Sequence, residues 1–299
     1  MKPFVLDTHF HVWDSSRIRY PWVADAQDEP QWFLGDRRLP LEYSLTDYAA
    51  EWAKFGVRPF VHIEAGAAPG SSLAETESLL GQPRGEHPLV LIVGADLEQD
   101  NLADELAAQC EHPEVVGVRQ IVTWHPDPSR SFVPEDLLSR PRWRDGLRVL
   151  ERLGLGFDLQ IYPAQAWAAA EVAGMFPSMR FVLNHTMLPN LEDEQELAFW
   201  RSGLAILARH ENVAVKVGGF SMTNKRLTPV RVESAIVDVL DAFGPSRVMI
   251  GTNAPVESTR NAPELFMEAL WSALRSVSQT EMDAITSGNA SEWYGVRRS

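Results

Sequence analysis

Eight short runs rich in Val, Ile, Leu and Phe recur along the chain, with amphipathic stretches between them. They lie at residues 4–9, 59–64, 89–93, 115–120, 156–161, 180–185, 213–217 and 247–252. Near-continuous apolar runs of this length are typical of strands buried on both faces of a parallel sheet. The pattern therefore predicts eight parallel strands.

The stretches between these runs carry apolar residues at helical spacing. In the clearest of them, Trp143, Leu147 and Leu150 fall on one face of a segment that starts at Pro141 and ends before Gly154. A Pro in the first turn and a Gly after the last turn are helix boundary signals. Similar patterns predict helices over 102–110, 164–175, 192–209, 229–243 and 263–277.

The repeated alternation of strand and helix predicts an α/β fold, a (β/α)8 TIM barrel that spans residues 1–299 as one domain. A doubly wound sheet is the alternative, but no glycine-rich phosphate loop follows the first run. Two long loop inserts interrupt the alternation, at 12–46 after strand 1 and at 123–140 after strand 4. The aromatic content of the first insert favours a packed wall over the barrel mouth.

Polar side chains gather at the predicted carboxyl ends of the strands, where barrels of this class carry their chemistry. Four of the eight histidines, His9, His11, His62 and His185, fall there. Core packing alone does not explain that placement. The other strand-end candidates are Glu64, Arg119, Gln120, Asp158, Gln160, Asn184, Lys216 and Asn253.

The pair His9 and His11 is the first candidate for a metal site. Residues i and i+2 of a strand point to the same side, and two imidazoles on one side can hold one ion. With His185 at the end of the sixth strand, these residues form a candidate three-histidine set. The alternative is that they only hydrogen-bond a polar pocket, and that His62 is a satisfied core histidine.

Several segments, in order and at strand ends, resemble one known family. They lie at 6–14, 61–65, 117–119, 157–163, 182–185, 213–216, 251–256 and 288–290. The resemblance is to the amidohydrolase-2 branch of the amidohydrolase superfamily, and in particular to its lactonase-like group of sugar lactonases and pyrone dicarboxylate lactonase. It implies a barrel whose active site gathers His9, His11, His185 and the polar residue at the end of strand eight.

The residue at the end of strand eight departs from the family pattern. Many relatives have Asp there, whereas this chain has Asn253. An amide cannot act as a general base at neutral pH and is a poorer metal ligand than a carboxylate. Strand four offers Arg119 and Gln120 where two-metal members have a carbamylated Lys. The expectation is therefore no metal, or one weakly held Zn or Mn ion.

The first hypothesis is hydrolysis of a lactone or related cyclic ester. A cation must stabilise the oxyanion, and a base must activate water. Arg119, Lys216 or the His9/His11 pair can supply the first, and His185, Glu64 or Asp158 the second. The predicted catalytic residues are His9, His11, His185, Asn253 and Glu64. The predicted substrate-binding residues are Arg119, Lys216, Trp13, Trp22, Gln160 and Trp124.

Structural roles remain open for several of these residues. Glu64 could pair with Arg119, and Lys216 could pair with Asp158 or Glu64. Asp7 is expected to hydrogen-bond loop backbone rather than to act in catalysis. Trp13, Trp22 and the other aromatic side chains of the inserts could serve in packing.

Two further functions stay open. One is a metal-dependent decarboxylase, hydratase or cyclase-type lyase that acts on an unsaturated or aromatic acid. The other is a barrel that has lost hydrolysis and only binds its ligand, including the case in which Asn253 is an engineered Asp-to-Asn trap.

Composition and charge limit the partners. With 27 Lys and Arg against 41 Asp and Glu, the formal net charge is −14, which argues against nucleic acid. The chain has no apolar run near 20 residues for a membrane span and no signal-peptide pattern at its start, so a cytoplasmic location is expected. The expected partner is a neutral or anionic small molecule, and a homo-oligomer is left open.

Overall fold

The computed structural model describes residues 3–28, 31, 33–34, 38–83, 88–259 and 263–295. The strands are β1 Val5–Asp7, β2 Trp13–Asp14, β3 Glu42–Tyr43, β4 Val57–Pro59, β5 Val61–Ile63, β6 Val90–Gly94, β7 Val115–Arg119, β8 Gly156–Leu159, β9 Phe181–Leu183, β10 Val213–Val217 and β11 Val248–Ile250. The α-helices are α1 Pro21–Asp28, α2 Leu45–Trp52, α3 Ser72–Leu80, α4 Leu102–Gln109, α5 Pro141–Leu153, α6 Ala166–Met175, α7 Glu194–Leu207, α8 Pro229–Phe243, α9 Pro263–Ala273, α10 Gln279–Asp283 and α11 Asn289–Trp293.

Strands β5 to β11 form one parallel sheet in chain order, and β1 lies between its two edges. On one side β1 pairs in parallel with β4, which leads into β5. On the other side the Thr8 N–H donates to the Ile250 carbonyl at 2.8 Å, and the Asn253 N–H donates to the His9 carbonyl at 2.7 Å. These contacts curl the sheet into the predicted barrel.

The second predicted strand, 59–64, is split into β4 and β5 at Phe60. Pro59 has no N–H to donate, which limits regular pairing at this point. With that strand counted once, a strand is present at each of the eight predicted positions, and a helix follows each strand, from α2 to α9. The predicted α/β barrel is confirmed.

Helix α5 shows why the helical predictions succeeded. Pro141 occupies its first turn, and Gly154 ends it in a left-handed conformation with φ of 71°. Trp143, Leu147 and Leu150 are fully buried against the sheet. The boundary residues and the apolar stripe therefore predicted both the bounds and the buried face.

The first insert has internal structure that the apolar pattern did not predict. It contains β2 and β3, which pair antiparallel, and helix α1 between them. Residues 29–30, 32 and 35–37 of this insert lie outside the described residues. The second insert, 123–140, contains two short 3₁₀ turns, Pro128–Arg130 and Leu137–Ser139. Among the described residues, no helix has the length and apolar character needed to cross a membrane.

Candidate active site

Three histidines meet inside the barrel at the carboxyl ends of the strands. The ring centroids of His9 and His11 lie 5.0 Å apart, and those of His9 and His185 lie 4.3 Å apart. Each side chain is at most 5% exposed. The structure thus brings together the three histidines that the sequence predicted as a set.

The hydrogen bonds of the histidines separate their roles. Neither ring nitrogen of His9 has a hydrogen-bond partner among the described residues. His11 Nδ1 lies 2.9 Å from the Ile63 carbonyl, which can only accept, so Nδ1 carries the proton and Nε2 keeps its lone pair. By contrast, His62 Nε2 accepts the Val12 N–H at 3.2 Å, and His62 is a satisfied core residue.

The cluster is held in its neutral form. Burial lowers the pKa of His9 well below 6.5, and His185 and Lys216 lower it further. Burial also lowers the pKa of His185 in the same direction, with added effects from Arg119 and Lys216. The imidazoles are therefore neutral at neutral pH, and each keeps one ring nitrogen with a lone pair.

His185 lies beyond the strand in which the sequence placed it. Strand β9 ends at Leu183, and His185 opens a turn in which its φ is +53°. The next three residues also have positive φ. Gly219 lies against the His185 ring so closely that a Cβ there would collide with Nδ1. The prediction of an extended strand to 185 is wrong at this point, because a left-handed turn begins there.

Arg119 is fixed by two contacts to one residue. Its Nε donates to Glu64 Oε1 at 2.6 Å, and its Nη2 donates to the Glu64 carbonyl at 2.8 Å. Nη1 makes only a long contact of 3.4 Å to Gln160 Oε1. Glu64 Oε2 also accepts the Gly66 N–H at 2.6 Å. Glu64 is therefore engaged in orienting Arg119, and Nη1 has donor capacity to spare.

Lys216 and Asp158 form a second buried ion pair. Lys216 Nζ lies 2.5 Å from Asp158 Oδ2, and both side chains are 1% exposed. Asp158 also accepts from Asn184 Nδ2 at 2.9 Å and from the Tyr294 hydroxyl at 2.9 Å. Burial lowers the pKa of Lys216 to about 8, against the opposing effect of Asp158. Both carboxylate oxygens of Asp158 therefore accept hydrogen bonds from these partners.

Asn253 follows β11 and touches the cluster through its backbone. Its N–H donates to the His9 carbonyl at 2.7 Å, and its φ is +55°. Its side-chain Nδ2 donates to the sulfur of Met222 at 3.4 Å. The structure therefore places Asn253 beside His9, as the sequence predicted.

The three predicted tryptophans differ in position. Trp13 is buried in the core, and its Nε1 donates to the Pro40 carbonyl at 2.9 Å. Trp22 is half-buried, and its Nε1 donates to the Ala65 carbonyl at 2.6 Å. The half-buried Trp124 is tied through its backbone N–H to Gln165. Trp13 therefore has a packing role, whereas Trp22 lies nearer the mouth.

Asp7 links the strands that carry His9 and Asn253. Its Oδ1 accepts the N–H groups of His9 and Thr252, both at 2.9 Å, which is the backbone role the sequence predicted. Its Oδ2 accepts the hydroxyls of Tyr48 and Thr252. Sequence reasoning missed Tyr48 and Thr252, because no local pattern separates them from ordinary core residues.

The described residues do not fit a tightly held divalent metal. No group of three or more His, Cys, Asp or Glu side chains within them is arranged to hold an ion. Asn253 supplies no carboxylate, and Arg119 and Lys216 create a positive potential at His185. That potential also opposes a divalent cation.

The fold and the strand-end histidines define a barrel of the amidohydrolase class. An amidohydrolase family model (Amidohydro_2) matches residues 6–296, and the chain belongs to this family. It is 29% identical to an uncharacterised protein of Sinorhizobium fredii, over 98% of each chain. It is also 23% identical to an L-fucono-1,5-lactonase of Burkholderia ambifaria, over 99% of this chain and 97% of that protein.

Solved structures agree with the fold. A Burkholderia multivorans amidohydrolase crystallised with bound Zn has a TM-score of 0.79 at 21% identity, covering 97% of this chain and 99% of that one. At this identity, the likeness shows a shared barrel.

Proposed function

We propose that the protein is a hydrolase that opens a lactone or a related cyclic ester by attack of water. The observation that carries this proposal is the buried cluster of neutral imidazoles, in which His9 has two unpartnered ring nitrogens. The similarity to a lactonase at low identity supports the same reaction class.

The cluster supplies the base in this proposal. Glu64 is engaged by Arg119 and Asp158 by Lys216, so neither carboxylate is free to accept the proton of water. The adjacent rings of His9 and His185 are neutral and lie 4.3 Å apart between centroids. We assign general-base catalysis to this pair.

Arg119 supplies the positive charge at the developing oxyanion. Its Nε and Nη2 are held by Glu64, so the guanidinium is oriented before the substrate binds. Nη1 remains to donate to the carbonyl oxygen as negative charge grows on it. We assign to Asn253, whose backbone N–H donates to the His9 carbonyl, the orientation of the substrate carbonyl.

The proposed hydrolysis takes two steps and returns the imidazole to its neutral form. The oxygen of water adds to the acyl carbon while an imidazole takes its proton. The ring C–O bond of the tetrahedral intermediate then breaks, and the same imidazolium returns the proton to the leaving alkoxide. The product is the open-chain hydroxy acid.

A panel of γ- and δ-lactones in a pH-indicator assay tests this proposal. The protein is dialysed against a chelator first, because the donor set does not fit a tightly held ion. We expect acid release that depends on enzyme concentration for at least one lactone. No turnover of any lactone, before or after addition of Zn²⁺ or Mn²⁺, would contradict the proposed function.

A further inference from the structure

Five side chains from five different loops meet over the barrel mouth. They form a separate apolar cluster, called here the apolar cap, which comprises Tyr162, Leu188 and Met222 with the partly buried Phe33 and Phe132. Each follows the carboxyl end of a different barrel strand. The cap is therefore built by the loops that bind substrate in this fold.

Two residues of the cap lie next to the histidine cluster. Leu188 ends the turn that His185 opens, and its backbone N–H donates to the His185 carbonyl at 2.8 Å. The sulfur of Met222 accepts from Asn253 Nδ2 at 3.4 Å. A substrate bound at the histidines would therefore have the apolar residues of the cap beside it.

Aromatic contacts continue the cap into the first insert. Ring centroids lie 6.5 Å apart for Phe132 and Tyr162, 5.5 Å for Phe33 and Phe132, and 6.2 Å for Trp22 and Phe33. The row ends at Trp22, whose ring centroid lies 5.5 Å from that of the buried core residue Trp13. The mouth thus has a continuous aromatic row along one side.

The polar atoms of this row are already engaged. The Tyr162 hydroxyl donates to the Arg130 carbonyl at 2.6 Å, and Trp22 Nε1 donates to the Ala65 carbonyl at 2.6 Å. A hydroxyl-bearing ligand would have to break these bonds or leave its own hydroxyls unpaired. Either outcome costs about tenfold or more in binding for each buried hydroxyl.

The charged groups below the cap are paired as well. Arg119 is bound to Glu64, and Lys216 to Asp158. The buried site atoms that have no partner among the described residues include both ring nitrogens of His9, Nε2 of Gln160 and Oδ1 of Asn184, and Arg119 Nη1 makes only a long contact of 3.4 Å. The lactone carbonyl and the attacking water take these atoms as partners, and the substituent of the ring is left to the apolar cap.

From this geometry we infer that the substrate is a lactone whose ring carries an alkyl or aryl substituent, and not a polyhydroxylated sugar lactone. The inference rests on the proposed lactone hydrolysis and adds the chemical class of the substituent. The apolar cap and the aromatic row are the surfaces that select it.

Comparison of two δ-lactones tests the inference. We expect kcat/KM for a pentyl-substituted δ-lactone to exceed that for D-glucono-1,5-lactone by roughly 100-fold or more. Equal values, or a preference for the hydroxylated lactone, would overturn the inference while leaving lactone hydrolysis standing.

A matched pair of variants ties the preference to the cap. Phe132→Asn is expected to lower the ratio of the two kcat/KM values about tenfold, because it replaces apolar surface with a polar amide. Phe199→Asn removes a similar ring from the outer face of α7, where Phe199 is 45% exposed and stacks on Trp167. This control should leave the ratio of the two kcat/KM values unchanged. An equal change in both variants would show that the cap does not cause the preference.

Inert analogues separate the two proposals if no lactone is turned over. Binding of the matching pentyl and polyhydroxylated δ-lactams is then measured by calorimetry. Tighter binding of the pentyl lactam supports the apolar site although the proposed hydrolysis has failed. Tighter binding of the hydroxylated lactam, or binding of neither, overturns the inference.

Discussion

Four consecutive residues at the site have left-handed backbone conformations although none is glycine. His185, Thr186, Met187 and Leu188 have φ values between 50° and 64°. Each costs on the order of 1–2 kcal/mol relative to a right-handed residue. Trp200 supports the turn, because its Nε1 donates to the Thr186 carbonyl at 2.6 Å. The surrounding packing thus holds the His185 ring beside His9.

Gly219 is the residue through which this placement can be tested. Gly219→Ala should reduce kcat/KM roughly 100-fold, because the new Cβ collides with the His185 ring and displaces it. Gly154→Ala is the matched control, since Gly154 has nearly the same φ, +71° against +72°, but open space around its Cα. Gly154→Ala should lose about 1 kcal/mol of stability from the left-handed backbone alone, and Gly219→Ala should lose more because the collision adds to this cost.

Activity and melting temperature, measured for both variants, distinguish the two effects. We expect a lower melting temperature in both variants, with the larger decrease in Gly219→Ala, and a loss of activity only in Gly219→Ala when both are assayed well below their melting temperatures. Full activity in Gly219→Ala would show that the position of the His185 ring does not limit the reaction.

At the scale of residues, the sequence predicted the histidines but not the cap. His9, His11 and His185 stand out because polar residues at the ends of buried strands have few structural explanations. Met222 and Tyr162 are single apolar or aromatic residues in loops, and such residues are common in any core. Only the three-dimensional convergence of five loops distinguishes them.

Helix α3 carries a buried acid near the site. Glu75 lies in its first turn, is 6% exposed, and accepts the Ala65 N–H at 2.9 Å. Burial, together with the nearby Glu64, raises the pKa of Glu75 to about 8. The folded protein therefore holds a proton that the unfolded chain releases at a lower pH.

This raised pKa gives a stability prediction with a defined sign. Between the ordinary pKa of 4.5 and the folded value of about 8, the folded state binds more protons, so Glu75 makes stability fall as pH rises. Glu75→Gln removes this dependence. The difference in melting temperature, Glu75→Gln minus wild type, should increase by about 5 °C between roughly pH 5 and pH 9.

Glu77→Gln is the control for this prediction, because Glu77 is exposed on the same helix. Thermal melts across the pH range should show no comparable trend for it. A Glu75→Gln curve parallel to wild type would mean that Glu75 is ionised in the folded protein throughout.

At the scale of elements, the success of the sequence predictions depended on boundary residues. Helices α5 and α8 were predicted at their observed bounds, because Pro begins each one and Gly follows each one. The elements β2, α1 and β3 were not predicted, because the strands have two residues each and are formed by contacts between distant parts of the insert.

Closure of the barrel brings distant parts of the chain together at the site. Asp7 and Thr252, 245 positions apart, share hydrogen bonds where β1 and β11 meet. The alternation of strands and helices predicted this closure. The sequence also offered Arg119 as a partner for Glu64, and Asp158 or Glu64 as a partner for Lys216. The structure shows the first pair and selects Asp158 for Lys216, a choice that depends on which strand-end side chains face one another.

The net charge of −14 does not describe the site. Inside the barrel, Arg119 is paired with Glu64 and Lys216 with Asp158. His9 and His185 are themselves neutral. An uncharged lactone can therefore bind without an unpaired buried charge, whichever sign the surface carries.

The most direct test of the account is kcat/KM of His9→Gln on the best lactone, measured beside His112→Gln. His112 lies in the loop before β7, remote from the strand carboxyl ends. We expect kcat/KM of His9→Gln to fall about 10²- to 10⁴-fold, because the neutral imidazole that accepts the proton is gone. We expect no loss of kcat/KM for His112→Gln. Wild-type activity in His9→Gln would contradict the account.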